Sequence, residues 1–362
     1  MTLRPRQILF FLAAVAPVGK LVLLPAQLAG IAGNDLWMPA LAQLLFQAAL
    51  IFCVLLLARR ERTVLSLIRA CAGGGCAASF AVLYALFLLF CAFLPIVEQK
   101  VMVRSIFYDT IPAHLVFAPF FLFSAYLACR PLPALGRIWD ILTPVSVVCL
   151  IGLFLLSVGS CDFGALAPAG AAGKAGFFAG TAAAFSRFSD AAFLLPLVGR
   201  FRYERGFAAK GALCYLAGGG VLLLFLAVFY GVFGEIAPLQ SLAFARVGAF
   251  FPARGVVGRI DYLFAFGLAF VMAFYAVLPV HGAVGLVCEA FGERKLLAPL
   301  LSAGVNAALF AAVYLLNFYT VTVVSLFSGT LFWVFPVFGA LVPLLLALLL
   351  GGRRDRGGRR AE

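Results

Sequence analysis

The stretch APVGKLVLLPA, residues 16–26, lies inside the first long apolar segment and carries a proline, a glycine and a lysine where an ordinary membrane helix carries leucines. Pro17 lacks a backbone N–H and clashes with the preceding turn, and Gly19 weakens the helix further. We therefore predict that the first helix unwinds near its centre. Unwound backbone is tolerated at that depth only where it packs against protein or lines a cavity.

The composition indicates that this stretch lies in a membrane. Hydrophobic residues make up 65% of the 362 positions and charged residues only 11%, too few to cover the surface of a soluble domain. Pro and Gly residues and charged clusters separate ten apolar segments, each suited to crossing roughly 30 Å of hydrocarbon. The chain is thus predicted to be a single all-α membrane domain over residues 1–362. Its predicted spans are residues 7–32, 37–58, 76–104, 112–130, 138–159, 175–199, 211–234, 259–288, 296–320 and 327–350.

The distribution of positive residues predicts the orientation of these spans. The connections on one side hold 19 lysines and arginines, and those on the other side hold 6. Because cytoplasmic loops are enriched in positive residues, we predict that both termini are cytoplasmic. The net charge of +13 and the basic cytoplasmic tail at residues 351–362 then reflect this bias and contact with anionic lipids. No nucleic-acid partner is expected, and the nine cysteines show no metal-ligand spacing, so no metal or cofactor is expected either.

A short motif recurs in the two halves of the chain. VLLP occupies residues 22–25, and FLLP occupies residues 193–196. Each motif lies in the first span of a set of five, so the second set enters the membrane from the opposite side. The sequence therefore predicts inverted repeats over about residues 7–160 and 175–350. Such repeats are typical of secondary transporters, whose substrate site lies at mid-membrane between interrupted helices.

Charged residues accompany both motifs inside the membrane. Lys20 lies about 13 residues past the start of its span, roughly 20 Å deep, where a charge needs a partner or water. The stretch FSRFSD, residues 185–190, supplies Arg187 and Asp190 in the other half. We expect Asp190 to be the partner of Lys20, because interrupted helices meet in such folds. Two interpretations stay open: a Lys–Asp–Arg cluster beside a substrate cavity, and a buried ion pair with a structural role only.

Four motifs follow one another in the order of a known family. They are GKLVLLPAQLAGIAGNDLWMPALA (19–42), a segment from DTIP to LTPV (109–145), SDAAFLLP (189–196) and FFPARGVVGRIDYLFAF (250–266). In these motifs the chain resembles the B subunits of spore germinant receptors, the GerAB branch of the amino acid–polyamine–organocation transporter superfamily. The resemblance covers essentially the whole chain.

The resemblance implies a fold, a ligand and partners. It implies a LeuT-type fold with a 5+5 inverted repeat and discontinuous helices 1 and 6, and binding of a small amino acid or similar nutrient. It also implies A and C receptor subunits as partners in the inner membrane of a spore. The chain departs from the family at Lys20, where members generally have a small residue, and at Asp190, where glutamate is frequent. Because Lys20 could fill a cation position, the coupling cation is left unknown.

The resulting hypothesis places a zwitterionic ligand between the two interrupted helices. Its carboxylate would meet the N–H groups of Lys20 and Leu21, helped by the Lys20 ammonium. Its amine would meet Asp190 and the carbonyls of residues 185–189.

Two further residues have alternative interpretations. Tyr84 either closes over the ligand or packs as a core aromatic, and Arg187 either contacts the ligand or neutralises Asp190. The predicted substrate-binding residues are Val18, Gly19, Lys20, Leu21, Tyr84, Phe185, Ser186, Arg187, Ser189 and Asp190.

The sequence favours a membrane permease or sensor subunit that takes part in spore germination. The alternatives are a secondary transporter that acts on its own and a structural receptor subunit that binds no ligand. An intramembrane enzyme is not favoured, because the chain has no Gly-x-Ser-Gly element and no second aspartate well inside a predicted span.

Overall fold

The structure of the chain, a computed structural model, is helical in all of its regular elements. It describes residues 3–107, 113–249, 261–292, 296–315, 329 and 331–351. Within these ranges the only strand-like feature is a single bridge between Leu3 and Phe201. The predicted all-α class is therefore confirmed. The predicted tail lies outside the described residues from residue 352 onwards, as does the part of the fourth family motif at residues 250–260.

The described helices overlap the predicted spans. In chain order they are α1 (Pro5–Val18), α2 (Leu24–Ala32), α3 (Trp37–Leu57), α4 (Val64–Phe107), α5 (Ala113–Ala128), α6 (Leu132–Ser157), α7 (Gly173–Ala184), α8 (Asp190–Leu194), α9 (Phe207–Phe233), α10 (Ala243–Ala249), α11 (Asp261–Phe291), α12 (Leu297–Leu315) and α13 (Phe335–Leu350). Each predicted span overlaps helical residues. The third prediction is too short, because α4 continues across a kink at Gly73, whose φ of 88° only glycine adopts readily.

Six stretches of the described residues are long and apolar enough to cross a membrane. They are Trp37–Arg60, Val64–Arg104, Leu132–Ser160, Phe207–Leu239, Asp261–Phe291 and Leu297–Leu315. Shorter apolar helices at Pro5–Val18, Phe117–Ala128 and Phe335–Leu350 accompany them. The chain is thus a membrane protein with many helical spans.

The first predicted span is interrupted, as Pro17 and Gly19 indicate. Helix α1 ends at Val18 and α2 begins at Leu24, so residues 19–23 form a first break. Within α1, residues Phe11–Val15 form a π-helix, a rare form that occurs mostly as single turns inside α-helices. Its backbone is supported from a neighbour, because Ser146 of α6 donates a hydrogen bond of 2.9 Å to the Ala14 carbonyl.

The sixth predicted span is interrupted in the same way. Helix α7 ends at Ala184 and α8 begins at Asp190, which leaves residues 185–189 as a second break. Helix α8 is short and gives way to a 3-10 turn at Leu195–Leu197. A carboxylate in the first turn of a helix, as Asp190 is, suits the positive end of the helix dipole.

Contacts at the two ends of the molecule show that the interrupted spans run in opposite directions. At one end the Leu3 N–H donates to the Arg200 carbonyl (3.0 Å), so the start of α1 lies beside the segment that follows α8. At the other end Asp35, which follows α2, accepts hydrogen bonds from Gly170 N–H (2.7 Å) and Ala172 N–H (2.8 Å), just before α7. The two breaks therefore meet partway along antiparallel spans.

Other helices enclose this pair of interrupted spans. Helix α11 packs along α4 and α6, and α9 packs along α3 and α1. Gly218 of α9 allows this close approach, because a Cβ there would lie 2.4 Å from the Ala13 carbonyl oxygen. The breaks are thereby shielded by α3, α4, α9 and α11.

The contact between Asp35 and the segment before α7 can be tested by substitution. An Asp35→Ala variant loses a buried carboxylate and the two charge-assisted hydrogen bonds that it accepts, which is expected to lower the free energy of unfolding by about 2–3 kcal/mol. Denaturant titration of the purified protein in mixed micelles measures this loss. Asp162→Ala is the matched control, because the exposed Asp162 accepts one local bond from Gly164. Equal losses in the two variants would contradict the role assigned to Asp35.

Candidate functional site

The two breaks are joined by an ion pair. The Nζ atom of Lys20 in the first break lies 2.7 Å from Oδ2 of Asp190, the residue that follows the second break. Lys20 is 2% exposed and Asp190 is 0% exposed. Neither ion has access to solvent in this conformation, so each depends on the other for compensation of its charge.

The Lys20 ammonium has further partners on several sides. It donates a hydrogen bond of 2.9 Å to the Ala16 carbonyl at the end of α1. The ring centroids of Phe188 and Tyr275 lie 5.1 and 5.4 Å from Nζ, within the range of cation–π attraction. A carboxylate, a carbonyl and two aromatic faces therefore surround the ammonium.

Two tyrosines that the sequence analysis missed complete the surroundings of Asp190. Tyr215 of α9 donates to Oδ2 (2.6 Å), and Tyr275 of α11 donates to Oδ1 (3.1 Å). The sequence did indicate them, because both tyrosines lie inside predicted spans, where a hydroxyl needs a hydrogen-bond acceptor. Gly19 is required beside them, because a Cβ there would lie 2.5 Å from a ring carbon of Tyr275.

The backbone of the first break is largely bonded within the protein. The N–H groups of Lys20 and Leu21, predicted to hold a ligand carboxylate, donate instead to the carbonyls of Pro17 (3.0 Å) and Val18 (3.1 Å). In this conformation tight turns use both N–H groups and Val18 is fully buried, so the contact of these N–H groups with a ligand carboxylate stays a prediction.

Helix α10 covers the other side of the first break. The Leu21 carbonyl accepts from Phe244 N–H (3.3 Å), and the Val22 carbonyl accepts from Ala243 N–H (2.9 Å). Both donors lie in the first turn of α10, whose N–H groups have no acceptor within their own helix. The first break and the start of α10 therefore satisfy each other's backbone.

Glutamines of α3 support the second break. Gln47 donates to the Phe188 carbonyl (2.6 Å) and accepts from Ala191 N–H (3.4 Å), so its amide bridges the start of α8. Gln43 donates to the Thr181 carbonyl of α7 (2.8 Å). The sequence analysis missed both residues, although two glutamines four positions apart on one face of an apolar helix indicated buried polar partners.

Three other predicted residues of the second break, Phe185, Ser186 and Ser189, take no part in the ion pair. The ring of Phe185 packs against Phe46 of α3, with centroids 5.6 Å apart. Ser186 donates to the Ala183 carbonyl (3.3 Å). Ser189 is buried and faces α13, where a Cβ on Gly339 would lie 3.7 Å from Ser189 Oγ.

Tyr84 ties α4 to the segment after the second break. It is almost fully buried, and its hydroxyl donates to the Ala192 carbonyl of α8 (3.3 Å). Its ring packs between Phe80 and Phe87, with centroids 5.2 and 5.6 Å away. In this conformation Tyr84 packs as a core aromatic and its hydroxyl bonds α8, while its closure over a ligand stays a prediction.

Arg187 does not neutralise Asp190, and this corrects one of the two interpretations of its role. Its guanidinium forms an ion pair with Glu98 of α4 instead. Arg187 is 8% exposed and Glu98 is 1% exposed. Arg187 lies before the end of the break, and its long side chain extends to α4. The site thus holds two separate buried ion pairs rather than one Lys–Asp–Arg cluster.

The described residues contain no group of three or more His, Cys, Asp or Glu side chains placed to hold a metal ion.

A comparison with protein-family models assigns the chain to a family. A family model described as "Spore germination protein" matches residues 2–338, nearly the whole chain. The chain belongs to this family. The resemblance predicted from the four motifs is thereby confirmed. A search of curated proteins finds no match to this sequence.

The fold is similar to that of a solved manganese transporter. Two mutants of the Eremococcus coleocola manganese transporter match with a TM-score of 0.57 at 12% identity, over 95% of this chain and 77% of theirs. The same transporter in complex with an aromatic bis-isothiourea substituted compound matches with a TM-score of 0.55 at 13% identity, over 95% of this chain and 76% of its own. At this identity the likeness concerns the fold alone. Family and fold together identify the chain as a membrane permease and not an enzyme, and the fold fits the LeuT type.

The assignment of Arg187 to Glu98 has a direct test. Arg187→Gln leaves Glu98 buried without its partner, which is expected to lower the free energy of unfolding by about 3–5 kcal/mol. Adding Glu98→Gln should restore most of this loss, since no uncompensated charge remains. Adding Asp190→Asn instead should not restore it. Denaturant titration of the three variants measures these differences, and recovery with Asp190→Asn but not with Glu98→Gln would contradict the assignment.

Proposed function

We propose that this permease binds a small amino acid or similar nutrient where its two helix breaks meet, and that it takes part in spore germination. The observation that carries the proposal is the ion pair between Lys20 and Asp190, which joins the breaks at 2.7 Å inside the protein. Membership in the spore germination protein family supports the biological role.

The ion pair favours a ligand that carries both charges. A molecule that enters between Lys20 and Asp190 separates two buried ions, and each of them then needs a new partner of opposite sign. A zwitterion supplies both, because its ammonium meets Asp190 while its carboxylate meets Lys20. A ligand with one charge leaves one of the two ions uncompensated. An amino acid therefore fits the pair better than a simple cation or anion does.

The present conformation is closed around this position. The N–H groups of Lys20 and Leu21 and the carboxylate of Asp190 all have partners within the protein. Ligand binding would stabilise an arrangement in which the two breaks separate, by the difference in affinity between the two states. Because α10 bonds the first break directly, its position would change with that separation.

We also propose how the spans are arranged, how they are oriented in the membrane and which partners they have. Ten spans would form inverted repeats over residues 7–160 and 175–350, with both termini cytoplasmic and the basic tail at residues 351–362 on the same side. The chain would lie in the inner membrane of a spore with germinant receptor A and C subunits as partners. In that complex, separation of the breaks would pass a signal to the partners.

A secondary transporter that acts on its own is the second candidate function. The fold similarity to a transporter favours it, since separation of two interrupted helices also gives alternating access. Manganese is not the proposed cargo of this chain. The Lys20 ammonium already contacts Asp190, so a divalent ion at this carboxylate would face a positive charge at close range.

Ligand binding by the purified protein tests the proposal. We expect one or a few of the twenty common amino acids to raise the unfolding temperature saturably, and manganese chloride to have no saturable effect. Asp190→Asn should abolish the effect of the amino acid. The control is Glu289→Gln, which weakens the partly exposed ion pair between Arg200 and Glu289 away from the breaks and should leave binding unchanged.

Three outcomes would contradict the proposed binding site. They are the lack of a response to any amino acid, equal binding by the Asp190→Asn protein, and saturable stabilisation by manganese alone. For a ligand that does bind, uptake into proteoliposomes supports the transporter, and binding without uptake supports the sensor.

A further inference from the structure

Four elements of the protein build a small cage around the Lys20 ammonium. The cage consists of the Ala16 carbonyl at the end of α1, Phe188 in the second break, Asp190 of α8 and Tyr275 of α11. Two polar atoms accept from Nζ at 2.9 and 2.7 Å, and two ring centroids lie 5.1 and 5.4 Å away. Carboxylate, carbonyl and aromatic faces are the groups that recognise an alkylammonium ion.

We propose that this ammonium cage is a binding site for a primary ammonium ion, and that the Lys20 side chain fills it as a tethered substitute for a free cation. The inference concerns the same site as the proposed function but does not require that a nutrient binds there.

The carboxylate of the cage is held in place without the help of Lys20. The Tyr215 hydroxyl donates to Oδ2 of Asp190 (2.6 Å), and the Tyr275 hydroxyl donates to Oδ1 (3.1 Å). Both tyrosines belong to long helices that pack against their neighbours over many turns. The two hydroxyls therefore keep the carboxylate in position when the Lys20 ammonium is withdrawn, and a free ammonium ion that enters the cage restores the missing positive charge.

The tethered ammonium also balances the charge of the cage. One positive and one negative group face each other, both almost fully buried, so the two breaks are held together by a charge that the chain itself carries. Closure of the breaks then needs no sodium, potassium or divalent ion. The protein would keep its closed form in a buffer that contains none of these cations.

Truncation of the Lys20 side chain tests the ammonium-cage proposal directly. Lys20→Ala deletes the side chain from Cγ to Nζ, and n-propylammonium has the same three carbons and one nitrogen. Propylammonium chloride should therefore raise the unfolding temperature of the Lys20→Ala protein saturably, by about 2–4 °C at ten times its dissociation constant. The same salt should not stabilise the wild-type protein, whose cage is already filled. Tetramethylammonium chloride, which has no N–H donor, should give no saturable rise in either protein.

Two variants serve as controls for charge and for space. Lys20→Met fills the volume of the side chain without an ammonium, so propylammonium should find no room and give no rise. The Lys20→Ala, Asp190→Asn double variant has the space but lacks the carboxylate, so it should not respond either. Equal rises in Lys20→Ala and in the double variant, or equal rises with the two salts, would overturn the proposal.

If Lys20→Ala unfolds during purification, the yield of folded protein tests the ammonium-cage proposal instead. Membranes that contain the variant are extracted in propylammonium chloride and, in parallel, in tetramethylammonium chloride of equal concentration. The proposal predicts a monodisperse peak in gel filtration with the first salt only. Recovery that does not differ between the two salts overturns it.

The two proposals fail separately. If the wild-type protein binds an amino acid but propylammonium does not stabilise Lys20→Ala, the ammonium-cage proposal is wrong and the proposed nutrient site is supported. If propylammonium stabilises the variant but no amino acid binds the wild-type protein, the ammonium-cage proposal is supported and the proposed nutrient site is wrong.

Discussion

The burial of two opposite charges at the meeting point of two interrupted helices is the constraint on which the rest of the structure depends. Neither the Lys20 ammonium nor the Asp190 carboxylate can remain charged alone in an apolar interior, so each requires the other. Their pairing brings the first break to the second. The cation–π contacts and the tyrosine hydroxyls surround this pair, and the enclosing helices shield it from lipid and water.

The unwound backbone at the two breaks imposes a second requirement. Peptide groups inside a membrane must find partners within the protein. At the first break, the N–H groups at the start of α10 provide donors for two carbonyls, and at the second break the Gln47 amide provides both a donor and an acceptor. These supports come from segments that do not belong to the interrupted spans. A change in the breaks must therefore change their contacts with α3 and α10, which gives a physical route from a ligand to the rest of the molecule.

The sequence predicted the parts of this arrangement that follow from local chemistry. A proline and a glycine inside an apolar run indicated the first break, and buried charge required that Lys20 find Asp190. The partner of Arg187 was not predicted, because Glu98 lies near the end of a long span, where a charge has no need of a buried partner. The two tyrosines that bond Asp190 were missed for a related reason: a tyrosine in an apolar helix usually packs, and only the crossing of helices shows what its hydroxyl meets.

The energetic coupling between Lys20 and Asp190 is the most direct test of this account. The free energies of unfolding of Lys20→Met, Asp190→Asn and the double variant, measured in the same micelles, complete a double-mutant cycle. We expect each single variant to lose about 3–5 kcal/mol, because one buried ion is left without compensation, and the double variant to regain most of that loss. Losses that simply add in the double variant would show that the two ions do not hold the breaks together.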